Sequence, residues 1–219
     1  MSSPPSAKHS LSAVASPLLA EQFQGCLLGL ALGDAIGAKN EGGIAERMAW
    51  RVLGRTRTGR LRWTDDTQMT LDLAESLLAR GMLDPDDLAR RFAQNYRWSR
   101  GYGPATTRSL KRIARGMDWR EANRSVHREG SFGNGGAVRA PAVGLFYAVR
   151  RRELRRAARL SASVTHAHPV ASEGATLIAS ATAAALIEGW RPRFVLDETA
   201  RCCRLEPFLS RLSRAISAP

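Results

Sequence analysis

Gly25-Cys26-Leu27-Leu28-Gly29-Leu30-Ala31-Leu32-Gly33-Asp34-Ala35-Ile36-Gly37 decides the fold class of this chain. Glycine recurs at every fourth residue, which puts Gly25, Gly29, Gly33 and Gly37 on one face of a helix. The missing side chains predict a close approach of another backbone along that face. Phe23, Leu27 and Leu30 supply apolar bulk beside it. The helical period starts near Leu18 and continues through most of the chain. Thr64 is placed to cap a second helix, with Asp65 and Asp66 in its first turn, Met69, Leu73 and Leu77 along one face and Gly81 as its stop. Asp84-Pro85 starts a third, running through Leu88, Phe92 and Tyr96. Further helices are predicted near 105–115, 137–150, 152–164, 170–188 and 193–204. Alternating β-branched runs are missing, apart from a short extended piece around Trp50–Leu53. The predicted class is all-α, without internal repeats. Residues 1–17, rich in Ser, Ala and Pro, read as a disordered tail and 18–219 as one helical domain.

Composition narrows the function. Of 219 residues, 44% are hydrophobic and 24% charged, which excludes a disordered chain. The net charge is +13, and only Lys8, Lys39 and Lys111 are lysine among 33 basic residues. Such a surface attracts anions: phosphates, nucleotides or nucleic acid. Three cysteines, two of them adjacent, exclude a disulfide scaffold and point to a reduced, cytoplasmic setting. The apolar stretch Gly25–Gly33 is stopped by Asp34 and is too short to span a bilayer, so no membrane partner is expected.

Three glycine-rich loops (39–43, 101–104 and 130–136) carry the unusual chemistry, each at a helix end. Trp63-Thr64-Asp65-Asp66-Thr67 sets a hydroxyl beside two carboxylates, the hard oxygen ligands that Mg²⁺ or Mn²⁺ favour. The same residues also make an ordinary helix start. Asp34 is a lone carboxylate on an apolar helix. Glu41 lies in a glycine-flanked loop that can bend it toward the 64–66 cluster. Gly130-Ser131-Phe132-Gly133-Asn134-Gly135-Gly136 can present successive N–H groups to a phosphate or serve as a flexible turn. In Thr165-His166-Ala167-His168-Pro169 one histidine can bond a ligand, and the alternative is a capping turn.

The order Gly33-Asp-Ala-Ile-Gly-Ala-x-x-Glu41, Trp63-Thr-Asp-Asp-Thr-Gln-Met-Thr70, Gly101-Tyr-Gly-Pro-Ala-Thr106, Gly130-Ser-Phe-Gly-Asn-Gly-Gly-Ala-Val-Arg-Ala-Pro141 and Thr165-His-Ala-His-Pro169 resembles the ADP-ribosylglycohydrolase family, over roughly residues 20–190. The resemblance implies an all-α fold around a cleft holding two divalent ions, Mg²⁺ or Mn²⁺. It also implies hydrolysis of the bond joining ADP-ribose to a protein side chain, so ADP-ribose or an ADP-ribosylated protein is the expected partner. By motif, Thr64, Asp65, Asp66 and Glu41 become metal ligands, and Glu41 and Asp66 the catalytic carboxylates. Ser131, Phe132, Gly133, Asn134 and Gly135 become the loop for the diphosphate and ribose. His166 becomes the contact to the distal part of ADP-ribose, while Tyr102 and Gly103 line the cleft.

The family's metal site also needs a Gly-Gly-Asp-Thr-Asp-Thr type motif nearer the C-terminus, which this sequence does not contain. Asp197-Glu198-Thr199 is the nearest likeness, and it reads as part of a surface helix. Arg211–Pro219 carries no terminating helix of family character. Against the family the chain reads as C-terminally incomplete, with a second cation site lacking ligands. Two other readings follow: an ADP-ribose-binding relative without turnover, and a basic helical nucleic-acid-binding protein. No helix-turn-helix, zinc-finger or aromatic RNA-binding motif supports the last.

Overall fold

A computed structural model describes residues 17–188, 191–206 and 208–218. The expected N-terminal tail lies outside them except for Pro17. In chain order the helices are α1 (Pro17–Gly37), α2 (Ile44–Leu53), α3 (Asp65–Arg80), α4 (Pro85–Gln94), α5 (Pro104–Ala114), α6 (Trp119–Arg124), α7 (Gly135–Val138), α8 (Ala140–Phe146), α9 (Arg151–Ser163), α10 (Pro169–Glu188), α11 (Pro192–Ala200) and α12 (Phe208–Ser217). Among the described residues the one extended pairing is an isolated bridge between Arg55 and Leu61. The fold is all-α.

Local codes set the helix starts. The Thr64 hydroxyl accepts from Asp66 N, and Gly81 ends α3 at φ +67°. The Asp84 carboxylate accepts from the backbone of Asp86 and Asp87, with Pro85 in the first turn of α4. Leu73, Leu77, Leu88, Phe92, Leu110 and Val143 are fully buried in one cluster shared by α3, α4, α5 and α8. Asp87, buried between α3 and α4, accepts from Ser76 Oγ, Arg80 Nη2 and Arg91 Nε, each at 2.8 Å. Burial pushes its carboxyl up, but the hydrogen bonds from Arg80, Arg91 and Ser76 outweigh it and hold the group well below the usual range. The second half of the core wraps α10, which contacts α7, α8, α9 and α11.

Several expectations are corrected. The close backbone approach belongs to Gly144, where an added Cβ would lie 2.5 Å from Ala179 O. At Gly25, Gly29 and Gly33 it would meet nothing within 4 Å. Helix α1 is apolar on nearly every side, yet Leu28, Leu32 and Ile36 are 68%, 56% and 50% exposed. Trp50–Leu53 is the last turn of α2, because Gly43 and Glu46 start a helix there: Glu46 Oε2 accepts from Gly43 N. Among the described residues α10, over Pro169–Ile187, is long and apolar enough to cross a membrane; half of that span is buried in the protein. A helix, α12, occupies the C-terminal stretch and packs on α11. The 197–199 likeness is not a surface feature either: Glu198 and Thr199 are buried, and Glu198 pairs with Arg151 and Arg201.

Candidate active site

The site starts from a carboxylate that the apolar helix α1 carries inward. Asp34 is buried and accepts from Thr64 N at 2.9 Å, Thr64 Oγ1 at 2.7 Å, Thr67 N at 3.2 Å and Thr67 Oγ1 at 2.5 Å. It therefore fixes the start of α3 by its orphan N–H groups and side-chain hydroxyls, with the helix dipole in its favour. Thr64 Oγ1 gives its hydrogen to Asp34 and accepts from Asp66 N at 3.2 Å. One hydroxyl lone pair then remains free.

Asp65 and Asp66 follow on the first turn of α3, both half-buried. Burial, then the neighbouring Asp66, push the Asp65 carboxyl up to about 7. Burial, then Asp34, push Asp66 up to about 6. Burial and then Asp34 also raise Glu41. Among the described residues none of these four carboxylates forms an ion pair. The carboxylates of the cluster raise one another's pKa, a repulsion that a hard divalent cation would relieve. Thr64, Asp65, Asp66 and Glu41 are suitable oxygen donors for one. Among the described residues, however, no three His, Cys, Asp or Glu side chains converge closely enough to enclose an ion. The donors present make one side of a coordination shell.

Beside this cluster opens a cavity of about 330 Å³, lined by Glu41, Trp50, Thr64, Asp65, Trp98, Tyr102 and Gly103. Gly101, at φ +82°, closes its floor: an added Cβ would lie 2.9 Å from Trp50 Cζ2. The sequence-predicted Tyr102 and Gly103 thus meet Glu41, Thr64 and Asp65 at one cleft. The Tyr102 ring packs tilted against Tyr96 at 4.8 Å, and among the described residues its buried hydroxyl has no hydrogen-bond partner. Burial raises the pKa of that phenol.

The glycine loop borders a different cavity from the carboxylate cleft, and it is built on the histidine segment. An added Cβ at Gly133 would lie 2.8 Å from His166 Nε2, at Gly135 2.9 Å from His166 Cε1, and at Gly136 2.9 Å from Ala162 Cβ. Gly130, at φ +86°, sits against the backbone of residues 167–168. Here glycine is demanded by close approach as much as by any anion nest. Ser131 Oγ accepts from Gly133 N at 3.3 Å, and exposed Phe132 meets His168 edge-on at 5.0 Å. Phe132, Gly133 and Asn134 border a second, mostly apolar cavity of about 730 Å³ that reaches α10 and α12.

Arg139, in the Gly130–Pro141 motif, ties the glycine loop to α9 and the histidine segment. It is 1% exposed and donates to Gly135 O at 3.1 Å, Ser161 O at 2.8 Å and Thr165 Oγ1 at 2.8 Å. Its guanidinium also lies 5.0 Å over the Phe92 ring. Burial pulls its pKa down to about 10, against the pull of Asp66 and then Asp65. Asp34 carried a legible sequence signal, a carboxylate in an apolar helix. Arg139 carried none, because one arginine among so many says nothing about burial.

The chain matches the family model described as ADP-ribosylglycohydrolase over residues 15–218. ADP-ribosylhydrolase ARH3 of Mus musculus is 37% identical over 183 residues, covering 75% of this chain and 49% of that protein. An uncharacterized protein of Archaeoglobus fulgidus is 34% identical over 212 residues, covering 90% of this chain and 65% of its own. The ADP-ribosyl-(dinitrogen reductase) glycohydrolase of Rhodospirillum rubrum is 30% identical over 164 residues, covering 70% and 54%. A solved structure described as an ADP-ribosylglycohydrolase-related protein complex superposes with a TM-score of 0.58 at 27% identity, covering 93% of this chain and 65% of that one. The chain spans about half the length of the ARH3 relatives it matches. The helical fold, the motif order and the match along nearly the whole chain agree: it belongs to the ADP-ribosylglycohydrolase family.

Proposed function

We propose that this chain is a hydrolase acting on the glycosidic bond between ADP-ribose and a protein side chain. The carrying observation is the cleft at which Glu41, Thr64 and Asp65 meet Tyr102 and Gly103, with Asp66 beside them in the first turn of α3. Mg²⁺ or Mn²⁺ bound by Thr64, Asp65, Asp66 and Glu41 would supply a polarised water and grip the ribose hydroxyls. The chain's own residues divide the remaining work. Asp66, whose carboxyl burial and Asp34 raise to about 6, holds the attacking water and takes its proton on a carboxylate oxygen as the new C–O bond forms, while the glycosidic bond breaks and the departing side-chain atom takes one proton from solvent. Glu41 stabilises the positive charge that develops at the anomeric carbon. The loop at 131–135 and His166 anchor the ADP-ribose, so that remote binding energy positions the reacting centre. Asp34 keeps Thr64 and the start of α3 in place.

The test is release of ADP-ribose from an ADP-ribosylated protein with added Mg²⁺ or Mn²⁺. EDTA is expected to abolish release, and Asp65→Ala or Asp66→Ala to lower it by roughly a hundredfold or more. Release unaffected by EDTA and by both substitutions overturns the proposal. A second reading, binding without turnover, is favoured by the one-sided donor set. Calorimetric binding of ADP-ribose with no release would select it. The three free cysteines support the reading of a reducing, cytoplasmic setting.

A further inference from the structure

The hydrogen-bond partners of Thr165 determine which ring nitrogen of His166 carries a proton. Arg139 Nη2 lies 2.8 Å from Thr165 Oγ1, and a guanidinium can only donate. The Thr165 hydroxyl thus accepts from Arg139 and keeps its own hydrogen to give. His166 Nδ1 lies 2.8 Å from the same oxygen. Thr165 is 2% exposed, and among the described residues its hydroxyl has no other acceptor. If Nδ1 carried the proton, that hydrogen would face the threonine oxygen and the hydroxyl hydrogen would be buried without a partner, a costly arrangement. The one arrangement that satisfies all three groups has Thr165 donating to Nδ1. A neutral ring must then carry its hydrogen on Nε2. Nε2 is the atom against the glycine loop, where a Cβ on Gly133 would come within 2.8 Å.

We infer that Arg139 and Thr165 are positioning residues that hold His166 as a fixed Nε2–H donor facing the 131–135 loop. His166 consequently recognises an acceptor oxygen, such as a phosphate or ribose oxygen, and cannot serve as a general base. Burial, and then the cationic Arg139, also oppose protonation of the ring, pulling its pKa down to about 3. The positioning role rests on hydrogen bonding within the chain. Only its ligand consequence depends on the ADP-ribose reading above.

The experiment uses the full chain labelled with ¹⁵N-histidine and read by long-range ¹H–¹⁵N correlation, without ligand. Loss of a signal in His166→Gln identifies it among His9, His127, His166 and His168. His166 is expected as the Nε2–H tautomer. Thr165→Val, which keeps the shape but removes the hydroxyl, is expected to shift the ring toward Nδ1–H, and Thr165→Ser to restore Nε2–H. ADP-ribose affinity by calorimetry is expected to fall roughly fivefold or more in Thr165→Val and to recover in Thr165→Ser. An Nδ1–H signal in the unmodified chain, or a tautomer unchanged in Thr165→Val, overturns the inference. The expected tautomers with no ADP-ribose binding by any variant would uphold the positioning role and count against the functional reading alone. Thr165→Val is chosen over an Arg139 variant because emptying a buried guanidinium site risks the fold itself.

Discussion

Asp65 is a residue the fold holds at a cost. Its carboxyl titrates near 7 in the folded chain, above its ordinary value of 3.8. The folded state therefore binds that proton more tightly than the unfolded chain does. The stabilisation is full below about pH 4 and is lost as pH rises through about 7. In metal-free buffer Asp65→Asn is expected to melt higher than the unmodified chain, by a margin that grows between pH 5 and pH 8. Thermal melts at both pH values check this, and an equal margin at both would contradict it. The same substitution removes a proposed metal ligand, so stability and activity are expected to move in opposite directions. At this scale the sequence was readable where chemistry is written in residue type: Thr64, Asp65 and Glu41 line one cleft, with Asp66 next to Asp65 on α3. The roles of Arg139 and Thr165 were not readable, because burial and hydrogen-bond direction arise from contacts far apart in sequence.

The helices show where periodicity informs and where it misleads. Caps at Thr64 and Asp84 and the stop at Gly81 sit where the sequence set them, since these signals act within one turn. The four-residue glycine rhythm of α1 was legible as a helix, but its partner was not. Period gives the face and says nothing about what lies opposite. This separates two substitutions of the same kind. Gly29→Ala meets open space and gains helix propensity, so it is expected to stabilise by up to about 1 kcal/mol. Gly144→Ala drives a methyl to 2.5 Å from Ala179 O between α8 and α10. It is expected to destabilise by about 1–3 kcal/mol. Urea unfolding of both variants checks the pair, and the same sign for both would refute the contrast. Helix α2 was hidden because its ten residues start on glycine rather than on a side-chain cap, and α12 because a short arginine-rich segment resembles a tail.

For the molecule as a whole, the all-α class followed from the absence of alternating runs. How α3 meets α7 and α8, and how those two meet α9 and α10, is a tertiary fact no local pattern encodes. A ligand that binds the folded chain and not the unfolded one stabilises the whole fold. ADP-ribose at about 100 times its Kd is expected to add about 2.7 kcal/mol, a rise in melting temperature of about 5–10 °C for a chain of this size. Differential scanning fluorimetry with ADP-ribose, against ribose as a control, reads it. An unchanged melting temperature at saturating ADP-ribose would speak against binding at this site.

The packing of the glycine loop on the histidine segment also bears on how this protein tolerates change. Positions 130, 133, 135 and 136 each have an atom within 3 Å of where a β-carbon would go, and at 130 the neighbour is backbone. Phe132 and Asn134 between them are exposed. In a library of every single substitution, the loop should therefore read as an alternating band: columns that reject nearly every residue interleaved with columns that accept many for folding. Variation in what the loop binds can enter only through the permissive columns, while the backbone that carries them stays fixed.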